Sequence, residues 1–237
     1  MEQWKERTSL LLGEERMNSL SNSHVLIVGV GGVGAYAAEM ICRAGVGEIT
    51  IVDGDTVQPS NINRQLPALH STIGQSKVEL IKERFLQINP KLKIHAFDTF
   101  IKDEEIGELL DKSEYNFVVD AIDTLSPKCY LIAETIRRNI PIVSSMGAGA
   151  KSDISKVGFA SIWKTTNCNL SKAVRKRLKK MNISYKLPVV FSTEPAKEEA
   201  IILIDNERNK KSTCGTISYM PAVFGCFLAE YVLTHLK

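Results

Sequence analysis

The sequence predicts an α/β fold, a doubly wound and mostly parallel sheet with a C-terminal extension of antiparallel strands and helices. Three observations carry this expectation. Short apolar runs alternate with helical patterns through residue 145, the first apolar run ends in a glycine-rich turn, and the pattern changes beyond residue 145.

In order, residues 4–20 have helical spacing (Leu10, Leu11, Met17, Leu20) broken around Gly13. His24 to Gly29 is a continuous apolar run ending in glycine, the pattern of a strand buried on both faces. A helix over 35–44 and a strand over 48–53 complete a βαβ unit. The alternation continues with a helix over 76–87, a strand over 92–97, a helix over 103–111, a strand over 116–120, a helix over 127–139 and a strand over 141–145. Beyond that point strands are expected at 153–162 and 199–205, a basic helix over 170–180 and a polar loop over 182–198. The apolar stretch 217–236 is interrupted by Ser218, Pro221, Glu230 and His235, which favours a core helix over a membrane span.

With 237 residues, 44% hydrophobic and 24% charged, the chain has material for a large core. Its length suits one open α/β domain. The expected parts are a helical arm over 1–22, a Rossmann-like part over 23–145 and a basic part with the last helix over 146–237. The net charge of +3 hides an asymmetry: residues 1–150 carry 15 basic and 20 acidic side chains, residues 151–237 carry 15 and 7. A basic second half suits a polyanionic partner, nucleic acid before membrane, or a solvated face.

Five cysteines, at 42, 129, 168, 214 and 226, form no C-x-x-C pair, which excludes a zinc ribbon and a thioredoxin motif. No structural zinc is therefore expected. The odd count without a signal peptide fits the cytoplasm. Cys42, Cys129 and Cys226 fall in helices and are expected in the core, whereas Cys168 is expected in a loop, without a role.

Gly29-Val-Gly31-Gly32-Val-Gly34 is a G-x-G-x-x-G turn between a strand and a helix, where backbone N–H groups and the helix N-terminus face phosphate. Asp53, about 20 residues on at the next strand's end, is placed to bond a ribose hydroxyl. To this point an NAD-dependent dehydrogenase fits equally well. Four further features favour ATP. The polar loop from Asp53 through Asp55 to Gln65 brings Asn61 and Gln65 to orient a nucleotide and Arg64 to fork onto phosphate. Lys77 adds a second cation, and Asp123, just past the fourth strand, is placed to hold Mg2+. Two cations and a metal carboxylate suit a leaving pyrophosphate better than hydride transfer.

The run Asp53 to Gln65, Lys77 and Asp123 resemble, in order and spacing, the adenylating enzymes that activate ubiquitin and the sulfur-carrier proteins of molybdopterin and thiamine synthesis. The resemblance implies that the glycine loop, Asp53, Arg64 and Lys77 bind ATP and that Asp123 serves magnesium. Arg7, in Arg7-Thr-Ser-Leu-Leu-Leu-Gly13, matches an arginine that reaches the ATP of a second subunit, which implies a homodimer; on its own it is a surface charge.

Asp120 to Lys128, Gly147 to Lys151, Lys164-Thr, Leu170 to Leu178 and Phe191-Ser-Thr-Glu194-Pro195 are similar to the tRNA threonylcarbamoyladenosine dehydratases within that superfamily. This implies ATP-dependent dehydration of N6-threonylcarbamoyladenosine in the tRNA anticodon loop. The substrate carboxylate is adenylated and its carbamoyl group closes a ring. Lys172, Arg175, Lys176, Arg177, Lys179 and Lys180 would then face tRNA, with Arg208, Lys210 and Lys211 a weaker set; the plain alternative is the solvated face of a helix. Cys214 aligns with a dehydratase cysteine and is either an acyl acceptor or a small buried hydrophobe. A sulfur-relay protein is a further partner the resemblance allows. The alternatives are an activator of a ubiquitin-like sulfur carrier, disfavoured by the missing cysteine pairs, and a non-catalytic or NAD-binding module.

Overall fold

A computed structural model describes residues 2–203 and 212–236. The arm is two helices, α1 (Glu6–Leu12) and α2 (Glu14–Ser21), divided at Gly13, whose φ of 81° ends one and precedes the other. The main sheet has seven strands: β1 (His24–Val28), β2 (Glu48–Val52), β3 (Lys93–Phe97), β4 (Phe117–Asp120), β5 (Ile142–Ser145), β6 (Val157–Ser161) and β7 (Pro188–Ser192), in the order β3-β2-β1-β4-β5-β7-β6. All pairings are parallel except β6 with β7. The order reverses between β1 and β4, and a crevice opens at the carboxyl ends of the strands at such a switch point.

Helices cover both faces. On one lie α3 (Gly34–Ala44), α4 (Lys77–Ile88) and α8 (Tyr219–His235), packed on Val25, Ile27, Ile49, Ile51 and Val119. On the other lie α5 (Glu104–Asp111), α6 (Leu125–Arg137) and α7 (Asn169–Lys180), packed on Leu26, Val28, Val118 and Val189. Alternate residues of one strand thus enter two cores, which is why the strands read as unbroken apolar runs. Each such side chain contributes about 1.5–3 kcal/mol on full burial.

The structure departs from the sequence expectations at three places. The polar stretch 182–198 contains β7, buried between β5 and β6, because Leu187-Pro-Val-Val-Phe191 is an apolar run short enough to be hidden by its polar flanks. The strand expected at 199–205 is β8 (Ile201–Leu203), which pairs antiparallel with β9 (Ser212–Cys214) in a separate ribbon. Cys226 is exposed rather than core. Gly225 presses α8 onto α3, where a Cβ would meet the Val33 carbonyl oxygen at 2.6 Å, and the next residue is turned about 100° away. Cys42 and Cys129 are buried as expected. Among the described residues no helix is long and apolar enough to cross a membrane.

Candidate active site

The glycine turn forms the floor of the crevice. Gly29 has φ 86°, and a Cβ there would stand 2.8 Å from the Ala121 carbonyl oxygen; a Cβ on Gly34 would stand 1.8 Å from the Gly29 carbonyl oxygen. Only glycine permits the turn to close this tightly beneath the end of β4. At Gly31 the Gln65 side chain lies 3.7 Å from the position of a Cβ, and at Gly32 the Pro221 and Arg64 side chains lie at 3.2 and 3.6 Å. The loop after β2 therefore folds back over the glycine turn.

Asp53 ties these two loops together. Its Oδ2 accepts from the Val30 N–H at 2.7 Å and its Oδ1 from the Asp55 N–H at 2.9 Å. Burial pushes the Asp53 carboxyl up, opposed by the Lys77 charge and the two N–H donors. Lys77 is itself buried and donates to Asp55 Oδ2 at 2.8 Å, which uses one of three ammonium donors. Asn61 is buried, its Oδ1 accepting from the Gln58 N–H at 3.0 Å, which shapes the turn leading to Arg64. Arg64 Nη1 donates to the Ser60 carbonyl and to Asn63 Oδ1, each at 2.8 Å. Gln65 Oε1 and Ser76 Oγ are buried without a partner among the described residues. Such acceptors cost about 1–3 kcal/mol each unless something bonds them, and both lie in segments that build this crevice.

Asp123 is exposed on the loop between β4 and α6. Beneath that loop lies a polar cluster that the sequence did not reveal. Lys128 Nζ lies 2.7 Å from Asp120 Oδ2 and donates to the Ile122 carbonyl at 2.9 Å, while Ser144 Oγ donates to Asp120 Oδ2 at 2.5 Å and the Ile122 N–H to Oδ1 at 3.1 Å. Burial pushes the Asp120 carboxyl up; Lys128, Ser144 and the Ile122 N–H oppose it.

The loop after β5 completes this edge. Cys214 is exposed, which leaves of the two readings only that of an accessible thiol, and its Cβ would lie 2.7 Å from a Cβ on Gly149. Asn63 Nδ2 donates to the Thr216 carbonyl at 2.9 Å, linking the β2 loop to the segment after β9. Lys151, buried, donates to the carbonyls of Asn167 and Ser192 at 3.2 and 3.3 Å and to that of Glu194, and burial pushes its ammonium down. The Glu194 carboxylate accepts the N–H groups of Ser152 and Asp153, each at 2.9 Å from Oε2. The Phe191 to Pro195 run thus holds the loop containing Gly149 in place.

The glycines, Asp53, Asp55, Asn61, Arg64, Gln65 and Lys77 are brought together as one wall of the crevice. Arg7 is exposed on α1, a helix with no buried residue. On α7, Val174 and Leu178 are buried while Lys172, Lys176, Arg177, Lys179 and Lys180 are exposed. Arg175 instead turns inward, donating to the carbonyls of Ile162 and Thr165 at 3.3 and 3.0 Å and to Thr165 Oγ1. Arg177 shares a cleft of about 180 Å³ with Thr124, Leu125, Ser126 and Pro127, next to Asp123. Cys168 has a structural part: its Sγ accepts from the Ser171 N–H at 3.4 Å as the N-cap of α7. Arg208, Lys210 and Lys211 lie outside the described residues.

Fold and site together define a nucleotide-binding α/β protein in which a glycine turn and two cations line one crevice. The chain belongs to the ThiF family, which matches residues 6–237. It is 38% identical over 237 residues to the tRNA threonylcarbamoyladenosine dehydratase of Bacillus subtilis, covering 97% of this chain and 93% of that one. The solved structure of the E. coli tRNA N6-threonylcarbamoyladenosine dehydratase in complex with ATP superposes with a TM-score of 0.88 at 31% identity, covering 99% of this chain and 93% of that chain. The molybdopterin-synthase adenylyltransferase of E. coli is 34% identical over 137 residues, covering 58% of this chain and 54% of that one.

Proposed function

We propose that this chain catalyses the ATP-dependent dehydration of threonylcarbamoyladenosine in tRNA, and that it works as a single adenylating domain. The observation that carries the reading is likeness over nearly the full length to dehydratases, one of them solved with ATP, in a chain whose own crevice gathers phosphate-directed groups.

In this reading the N–H groups of Gly29 to Gly34 and the start of α3 receive phosphate oxygens, and Asp53 accepts the ribose hydroxyls. Arg64 and Lys77 stabilise charge that grows on the departing pyrophosphate, and Asn61, Gln65 and Asp55 orient the nucleotide. Mg2+ is commonly held by one or two carboxylates plus substrate phosphates, so Asp123, exposed at this edge, fits an ion that arrives with ATP. Such an ion would neutralise phosphate charge. A substrate carboxylate oxygen attacks the α-phosphorus and pyrophosphate leaves; the neighbouring carbamoyl group then attacks the activated carbonyl carbon and AMP leaves. One water is lost in sum. Cys214, exposed at the same edge, is a thiol within the site, although ring closure within the substrate requires no enzyme thioester.

Two features support the macromolecular partners. The exposed lysines of α7 and Arg177 form a cationic face that continues to the cleft beside Asp123, suited to a tRNA backbone. Leu10 and Leu11 are 79% and 83% exposed beside Arg7 on α1, an apolar ridge suited to a second copy that would receive Arg7 at its ATP.

The test is mass spectrometry of nucleosides from tRNA bearing threonylcarbamoyladenosine, incubated with the protein and magnesium ATP beside an Asp123→Ala variant. Loss of the mass of one water, abolished in the variant, supports the reading. Unchanged tRNA, together with pyrophosphate exchange on a Gly-Gly-tailed carrier protein, transfers the chain to the sulfur-carrier branch.

A further inference from the structure

At the opposite, amino edge of the sheet three side chains from three adjacent strands converge. His24 opens β1, Glu48 opens β2 directly beside it in register, and His95 lies in β3 beside Thr50, two residues beyond Glu48, so all three stand on the same face. His95 Nε2 is 2.9 Å from Glu48 Oε1, and His24 Nδ1 is 3.6 Å from the same oxygen. One nitrogen from each ring and a Glu48 oxygen lie within 4.8 Å of one another. We propose that His24, Glu48 and His95 form a binding site for a borderline first-row divalent cation, zinc foremost, which clamps the three strands.

The donor set is two imidazoles and a carboxylate, the ligand types that suit zinc. With bonds of about 2.0–2.2 Å, tetrahedral ligand atoms stand about 3.3 Å apart. The separations of 2.9 and 3.6 Å bracket that value, the ring nitrogens lie within 4.8 Å of one another, and the His95 side chain, 48% exposed, is free to adjust. His24 is held in place: its Nε2 lies 2.8 Å from Thr50 Oγ1, and the Tyr115 ring packs against it at 4.6 Å between centroids. With Nε2 engaged, Nδ1 faces Glu48, the arrangement in which an outer hydrogen bond orients a metal-ligating imidazole.

Glu48 Oε1 is the oxygen that faces both imidazoles. Lys93 approaches only the other oxygen, Oε2, at 4.0 Å. A water would complete the fourth position. This site differs from the cysteine frameworks that the sequence lacks, since all its ligands are nitrogen or oxygen. It is also remote from the nucleotide crevice, so it stands or falls independently of the proposed reaction.

The experiment is titration of the full-length protein, without ATP, with zinc against a chromophoric chelator, together with melting curves and cobalt(II) absorption. The wild type is expected to bind one zinc, to melt higher with it, and to give cobalt bands without thiolate charge transfer. His95→Ala and Glu48→Gln should each weaken binding at least tenfold, the lower range seen when even an outer-shell partner is removed. The metal-free melting point reports folding, and the conservative Glu48→Gln retains a folded protein if His95→Ala does not. Absence of zinc binding, wild-type affinity in both variants, or a thiolate–cobalt band that places the metal on cysteines would overturn the proposal.

Discussion

The Lys128 ammonium lies 2.7 Å from Asp120 Oδ2 with both side chains fully buried, directly beneath the loop that presents Asp123. Lys128→Met leaves that carboxylate without its counter-charge, and breaking a buried pair from one side costs about 3–5 kcal/mol. We expect urea unfolding at pH 7 to show a loss of that order. Asp120 already has a raised pKa, and removing Lys128 raises it further, so protonation relieves the variant as pH falls. The deficit relative to wild type should therefore shrink on acidification; a constant deficit would mean that the cost is lost packing rather than unpaired charge.

Gln65 makes a different trade. Its Oε1 is buried beside the glycine turn, without a partner among the described residues, and in the proposed function nucleotide binding recovers the stability this costs. Gln65→Met, which keeps the volume and removes the polar atoms, should raise the unfolding free energy by about 1–3 kcal/mol. Affinity for a non-hydrolysable ATP analogue should fall, as calorimetry would show. A variant that loses both stability and affinity would mark Gln65 as a structural strut instead.

The nucleotide wall was legible because its signals are local. A glycine turn between an apolar run and a helix, an aspartate at the next strand's end and a polar loop all lie within residues 24–77, and each demands its chemistry regardless of what packs on it. β7 was not legible, because five residues between polar flanks become a strand only through pairing with β5 and β6. Nothing in the sequence pairs Lys128 with Asp120, and only the closing of α6 onto β4 and β5 buries them together. Cys226 and Phe224 lie in the same apolar helix, and which is covered depends on where Gly225 meets α3. Arg175 reads like its basic neighbours until Ile162 and Thr165 supply carbonyls for it.

Glu39 fastens α3 to α4. It accepts from Arg84 Nε at 2.6 Å and from Arg43 Nε at 2.8 Å, with only 5% of its side chain exposed. Burial pushes its carboxyl up, but the two guanidinium groups outweigh that and hold it below the usual range. A carboxyl with a depressed folded-state pKa adds stability above its unfolded-state pKa and loses it as pH falls through the folded value. Glu39→Gln should therefore cost about 1–3 kcal/mol at pH 7, the range for hydrogen bonds to charged groups with the arginines half exposed. The gap between variant and wild type should close at pH values below the ordinary carboxylate range, read by denaturant melts at each pH. A gap that persists in acid would assign Glu39 a packing role alone.

The faces of α7 should separate stability from tRNA binding. Val174 and Leu178 anchor the helix, and Arg175 is committed to Ile162 and Thr165, so Arg175→Ala should lower the melting temperature. Lys176 and Lys180 are exposed and one turn apart, on a face with no acidic residue in the helix. Lys176→Glu with Lys180→Glu should leave the melting temperature near wild type and weaken tRNA binding. Removing a lysine that neutralises a phosphate lowers the slope of log K against log salt by about 1, so the double variant should forfeit up to about 2 from that slope. Affinity and slope must fall together if these lysines neutralise phosphates. A fall in affinity with an unchanged slope would mean that the substitutions had disturbed the cleft between Arg177 and Thr124 rather than removed ionic pairing.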